Sequence, residues 1–206
     1  MNSNYETIRK AIREFIFLTD RFVYKHHDNV MRYTSIIVND IRDKYDITRE
    51  EAFLITTYSS FHDIGKIDIS SDIITKPAAL TEEERKIIET HCKSGHELIQ
   101  IICRDHPDSI TRPDVLSNII IAHHERLDGS GYPNGLAGDQ IPIEAQIVSV
   151  ADIFDSITSF RPYDPVHSYE YAFLELDREV SDGRINVDCV DALKRNLRIP
   201  IDIPAK

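Results

Sequence analysis

Apolar residues recur along this chain every three or four positions and rarely alternate, the spacing of helices rather than of strands. Ile8, Ile12, Phe15, Ile16 and Phe22 draw a first apolar face. Val30, Tyr33, Ile37 and Ile41 draw a second and predict a helix over 29–43 with those side chains inward. Thr48 followed by Glu51 has the form of a capping box, in which each side chain serves a backbone donor the helix leaves unpaired. It predicts a helix running toward His62. Thr81 with Glu84 repeats the signature and predicts a helix through His91 to about Cys103. Between the two, residues 67–80 hold Lys76-Pro77 and read as a loop. A further helix begins near Thr111-Arg112-Pro113 and ends around His124. Pro142 suits the first turn of another, carrying Ile147, Val150 and Ile153. Segments 168–180 and 187–197 complete the set. The β-branched runs are short and lack turn signals at their ends. The expectation is one all-α domain over 1–206, with a core at about 23–197 and a tail at 198–206. That tail carries Pro200 and Pro204 and reads as extended.

Composition adds limits. A chain of 206 residues is long enough for a core of its own. No apolar run approaches the roughly 18 residues that span a bilayer, so no membrane partner is expected. The N-terminal stretch lacks the basic start and apolar segment of a secretory leader. Cys92, Cys103 and Cys189 are odd in number and far from CxxC spacing, which suits free thiols in a reducing cytoplasm. A formal net charge of -11 argues against a nucleic-acid polymer as partner, because phosphate neutralisation needs a basic face. An anionic small ligand would need local positive charge, from bound cations and from Lys66, Arg126 and Arg161.

The candidate chemistry lies in histidines and aspartates spread over separate predicted helices. His62-Asp63 and His123-His124 are adjacent pairs, and neighbours on a helix point about 100° apart. Two such doublets favour a pair of ions with a shared carboxylate over a lone ion, and Asp63 is the natural bridge. His26, His91 and Asp152 would supply further ligands, in the manner of sites built in the core of a helix bundle.

FHDIGK, EERKIIETH, HHERLDGSGYP and IPIEAQIVSVADIFDSITSFRPY together resemble the HD-GYP domain, a branch of the HD superfamily of metal-dependent phosphohydrolases. The resemblance runs from about Val23 to Leu197. It implies an all-helical, cytoplasmic, bacterial domain that hydrolyses a cyclic dinucleotide, chiefly cyclic di-GMP, with iron or manganese. It further implies attack by a hydroxide held between the metals. Position by position, it makes His26, His62, Asp63, His91, His123, His124 and Asp152 the metal ligands. Lys66 then lies at the scissile phosphate, Arg161 on a substrate phosphate, and Gly131, Tyr132 and Pro133 form a loop that shapes the rim and can meet a protein partner.

The chain departs from that pattern in places. Phe22 stands where some members carry a glutamate for a third metal, so two divalent ions are expected. Asp164 stands where a lysine often follows the arginine. A carboxylate about 4 Å from a phosphate would cost roughly 4 kcal/mol before screening, which bears on the substrate. No sensory domain is expected within these residues, so input would come from a partner or a separate chain. Two other readings follow: a module that binds metal or nucleotide and acts through protein contacts, and a phosphohydrolase for another nucleotide.

Overall fold

The structure, a computed structural model, describes residues 21–159 and 166–197, with side chains from residue 25 onward. Ile8, Ile12, Phe15 and Ile16 of the first predicted apolar face, Arg161, Asp164 and the tail lie outside the described residues. The described residues form no strand; helices dominate, with one isolated bridge between Asp128 and Ala137. The fold is all-α, as the spacing predicts. The helices are α1 (Arg21–Ile41), α2 (Arg49–Tyr58), α3 (Ser71–Ile74), α4 (Glu82–Glu89), α5 (His91–Asp105), α6 (Pro113–Ala122), α7 (Ile143–Thr158), α8 (Tyr169–Ser181) and α9 (Val187–Asn196).

The long helix α1 is the spine, packing against α2, α7 and α9. Its predicted inward face is the buried one: Val30, Tyr33, Ile37 and Ile41 are all in the core. Burying a side chain such as Ile37 contributes about 1.5–3 kcal/mol, so this stripe alone fixes which way α1 is rotated. Ile147 and Val150 of α7 are fully buried opposite, with Ile153 partly so. Both predicted capping boxes are present, at Thr48–Glu51 and Thr81–Glu84.

Four boundaries differ from expectation, the first being α1, which begins at Arg21 rather than near Asn29. The helix aimed at His62 stops at Tyr58, and the chain continues as 3-10 turns over Ser59–Phe61 and Ile64–Asp68, with His62-Asp63 at the joint. The helix expected from Thr81 to Cys103 is two helices broken at Thr90. There the Thr90 hydroxyl and the His91 ring bond the Ile87 and Ile88 carbonyls, both at 2.6 Å, and compete for acceptors that a continuous helix would use. The loop 67–80 contains one helical turn, α3, capped by Ser70.

The Ile64–Asp68 turn lies backbone to backbone on α5. A Cβ at Gly65 would overlap the His91 carbonyl oxygen and lie 2.5 Å from the Gly95 nitrogen. This contact holds Asp63 and His91 side by side. Among the described residues, no helix is long and apolar enough to cross a membrane.

Candidate metal centre

The fold gathers seven of the predicted residues at one place. They form two groups, Asp63, His91, His123 and His124 in one and His26, His62 and Asp152 in the other, each with its ligand atoms within 4.8 Å of one another. Asp63 stands between them. Its Oδ1 lies 3.2 Å from His91 Nε2 and 3.9 Å from His123 Nε2. Its Oδ2 faces the other way, 3.4 Å from His62 Nε2 and 3.7 Å from His26 Nε2. Asp152 Oδ1 closes the second group at 3.3 Å from His26 Nε2 and 3.8 Å from His62 Nε2.

Backbone carbonyls set the tautomers. Nδ1 of His62 donates to the Ser59 carbonyl at 2.7 Å, and Nδ1 of His91 to that of Ile88 at 2.6 Å. His123 Nδ1 donates to the Ile119 and Ile120 carbonyls at 3.0 and 3.1 Å. A carbonyl only accepts, so in each neutral ring Nε2 carries the lone pair, and each Nε2 points into the cluster. His91 Nε2 and His123 Nε2 meet at 3.4 Å, two lone pairs that need a shared cation between them. His62 Nε2 and Asp63 Oδ1 are buried without a hydrogen-bond partner. Orphaned acceptors of this kind are costly unless an ion satisfies them, and their number and type fit divalent transition metals.

The electrostatics agree. Burial, then the neighbouring histidines, hold His123 well below the usual imidazole range. Burial brings His124 down to about 3. Both rings are therefore neutral and able to ligate. Burial pushes Asp152 upward, but His62 and then His26 lead the causes that outweigh it and leave the carboxyl at about 2. Burial likewise opposes ionisation of Asp63, and Lys66 and His62 overcome it. Both carboxylates are ionised.

Around these two groups stand Lys66 and the Gly131-Tyr132-Pro133 loop. Lys66 Nζ lies 2.6 Å from Asp63 Oδ2 and is partly exposed, at the edge of the cluster. The Gly131-Tyr132-Pro133 loop is anchored to the His123-His124 segment. Tyr132 stacks on His124 with ring centroids 4.7 Å apart, and its amide donates to the His124 carbonyl at 3.2 Å. Gly131 presses on the backbone of Glu125 and Arg126, where any Cβ would overlap. The buried Glu125 carboxylate accepts from the amides of Asn134 at 2.7 Å and Leu136 at 3.0 Å. Arg126 donates to Ser149 Oγ at 3.0 Å and lines an open cavity of about 420 Å³ with Ile153, Ile157 and Tyr171.

Residues 10–187 match the HD domain family. The chain belongs to the HD domain family. Its Gly131-Tyr132-Pro133 loop is of the HD-GYP type. This HD domain is 39% identical over 157 residues to the cyclic di-GMP phosphodiesterase response regulator RpfG of Xanthomonas campestris, across 75% of this chain and 39% of that protein. It is 30% identical over 176 residues to a 3'3'-cGAMP-specific phosphodiesterase of Vibrio cholerae, across 85% of this chain and 38% of the relative. The chain thus spans about two fifths of the length of these curated relatives. Among solved structures, Bd1817, a HDG"Y"P protein from Bdellovibrio bacteriovorus, superposes with a TM-score of 0.67 at 18% identity, covering 94% of this chain and 63% of that one. The HD domain is metal-dependent, and the two residue groups described above can hold metal.

Sequence reasoning missed a second layer of this HD domain. Asp155 is fully buried and its Oδ2 accepts a hydrogen bond from His26 Nδ1 at 2.6 Å, fixing that ring's Nε2 toward the cluster. Asn29 and Ser159 donate to Asp155 Oδ1 at 2.7 and 2.6 Å. The Asp152-x-x-Asp155 spacing, which puts two carboxylates on one helix face, was the available signal. Glu125 was likewise missed. His27 is buried with its ring 5.3 Å from that of His62, yet falls outside both groups.

Proposed function

We propose that this HD domain is a metal-dependent phosphodiesterase acting on a cyclic dinucleotide, with cyclic di-GMP the first candidate. One observation carries the reading: the Asp63 carboxylate turns one oxygen to each of two histidine groups. The relatives named as phosphodiesterases of cyclic di-GMP and of 3'3'-cGAMP supply the substrate class. His26, His62 and Asp152 would hold one ion and His91, His123 and His124 the other, with Asp63 shared. Histidine and carboxylate donors together favour iron or manganese. When bound, the ions polarise the phosphodiester and make water acidic enough to serve as a nucleophile near neutral pH.

The chain's own groups do the rest. Lys66, once its ammonium leaves Asp63 for substrate, offsets charge that builds on the phosphate oxygens. The resemblance assigns Arg161, which lies outside the described residues, to a substrate phosphate. Tyr132, held flat on His124, forms the rim against which a base or ribose packs. Asp155 keeps His26 oriented. The three free cysteines suit a cytoplasmic setting.

The test is turnover by protein purified without oxygen and loaded with iron or manganese, using cyclic di-GMP, 3'3'-cGAMP and a linear dinucleotide. Metal-dependent opening of one cyclic dinucleotide is the expected result. Binding of those ligands by two-metal protein without any hydrolysis would replace the enzyme with a binding module.

A further inference from the structure

The chain turns from α1 to α2 through a bond from the Ile47 amide to the Arg42 carbonyl, 2.9 Å long. Arg42 and Arg49, on either side of that turn, line one open cavity of about 500 Å³ with Ser35, Asn39, Phe53 and Thr56. Asn39 lies about 20 Å along α1 from His26, at 1.5 Å per residue, so the cavity is separate from the histidine cluster. Among the described residues its lining carries no carboxylate, in a chain with 35 acidic residues against 24 Lys and Arg. Positive charge is gathered here against the trend of the whole molecule. Neither arginine is held by a close carboxylate. Arg49 forms no ion pair among the described residues, and Arg42 reaches only Asp43, at 3.4 Å, whose side chain is 90% exposed. An exposed pair of that kind contributes little. Arg112, Arg184 and Arg195, by contrast, are each engaged by carboxylates. The aromatic member of the lining is unusual too: Phe53 is 55% exposed, although Ala52, Leu54 and Ile55 beside it on α2 are buried.

We propose that this groove is a second ligand site, distinct from the metal centre, and that it takes a nucleoside monophosphate. The guanidinium forks of Arg42 and Arg49 match phosphate oxygens, and the Ser35 and Thr56 hydroxyls line the same cavity to donate to them. The exposed face of Phe53 is a platform on which a base stacks. Asn39, braced on α1 by a 2.7 Å bond to the Ser35 carbonyl, is a polar wall for the sugar. The volume is that of a small-molecule site, and a net charge of -11 sets the molecule as a whole against a polyanion. The site goes beyond the phosphodiesterase reading and stands or falls without it.

Nuclear magnetic resonance of the nitrogen-15-labelled full chain, titrated with guanosine 5'-monophosphate, tests it. The amides of Asn39, Arg49 and Phe53 and the Nε–H signals of Arg42 and Arg49 should shift together and saturate. Arg49→Glu should weaken that binding by about tenfold or more, the scale of a lost charge-assisted hydrogen bond. Arg85→Glu on α4 makes the same change of charge outside the groove and should leave it within about twofold. Phe53→Ser should weaken the nucleotide and leave inorganic phosphate unaffected. Shifts confined to His124 and Tyr132 would place the nucleotide at the metal centre and overturn the second site. Equal weakening by Arg49→Glu and Arg85→Glu would overturn it as well, reducing the effect to overall charge. Inorganic phosphate binding as tightly as the nucleotide, with Phe53→Ser silent, would overturn the nucleotide as ligand. None of these results bears on turnover at the histidine cluster, so failure here leaves the phosphodiesterase reading to its own test.

Discussion

Asp63→Asn keeps the size of the side chain and removes the charge that both ion positions share. Metal analysis of the purified variant is expected to find neither ion and no turnover; two ions retained per chain would refute the bridging role. Lys66→Met should keep both ions and lower kcat by on the order of 100-fold, the scale of losing one electrostatic contact to the transition state. Asp155→Asn should preserve the helical circular dichroism and weaken metal affinity roughly 10–100-fold in a chelator competition, because the carboxylate behind a ligating histidine orients it. The residues that the fold gathers were legible in the sequence, since doublets such as His62-Asp63 and His123-His124 stand out. Asp155 was not, because its meaning comes from a ring 129 positions away that only the packing of α1 on α7 brings to it.

At the scale of the element, the turns that carry ligands matter more than the helices. Gly65→Ala forces a Cβ into α5, and neither backbone can yield without moving Asp63 or His91. Overpacking of this kind costs about 1–3 kcal/mol, and urea denaturation should show at least that loss. An unchanged midpoint would mean that the turn and α5 separate freely. The helix α4 has no buried residue and leans on its cap, so Thr81→Ala should cost about 1 kcal/mol and fray α4 in hydrogen exchange while the metal content holds. Capping boxes were readable because they are local. The break at Thr90 was not, because it depends on which carbonyls the Thr90 hydroxyl and the His91 ring choose, and His91 is placed by its neighbours in the fold.

For the whole molecule, the histidine cluster makes metal-free stability depend on pH. Burial, the largest cause in each case, holds His27, His91, His123 and His124 below the ordinary imidazole value. His62 alone among the cluster's shifted histidines moves upward, Asp63 outweighing its burial. In the unfolded chain all of them take up protons as pH falls through about 6.5, so over that window the unfolded state binds more protons and folding weakens. Each buried neutral histidine contributes up to about 1.4 kcal/mol per pH unit, and His62 offsets one of the four. The urea midpoint of metal-free protein should therefore fall clearly between pH 7.5 and pH 5.5. Equal midpoints would mean that the cluster is already protonated when folded.

One carboxylate turned toward two groups would also make two ions, one on each group, partners in thermodynamics. Whatever the first does to Asp63, by drawing Lys66 off Oδ2 or by fixing the rotation of the carboxyl, the second must meet. Linkage requires that each ion change the affinity of the other by the same factor. His91→Ala, which touches one group, is then expected to alter loading of the group containing His26, and His26→Ala should return the change to the group containing His91. The site behaves as a single unit of account, and a half-filled protein is a different ligand-binding species from either the empty or the full one.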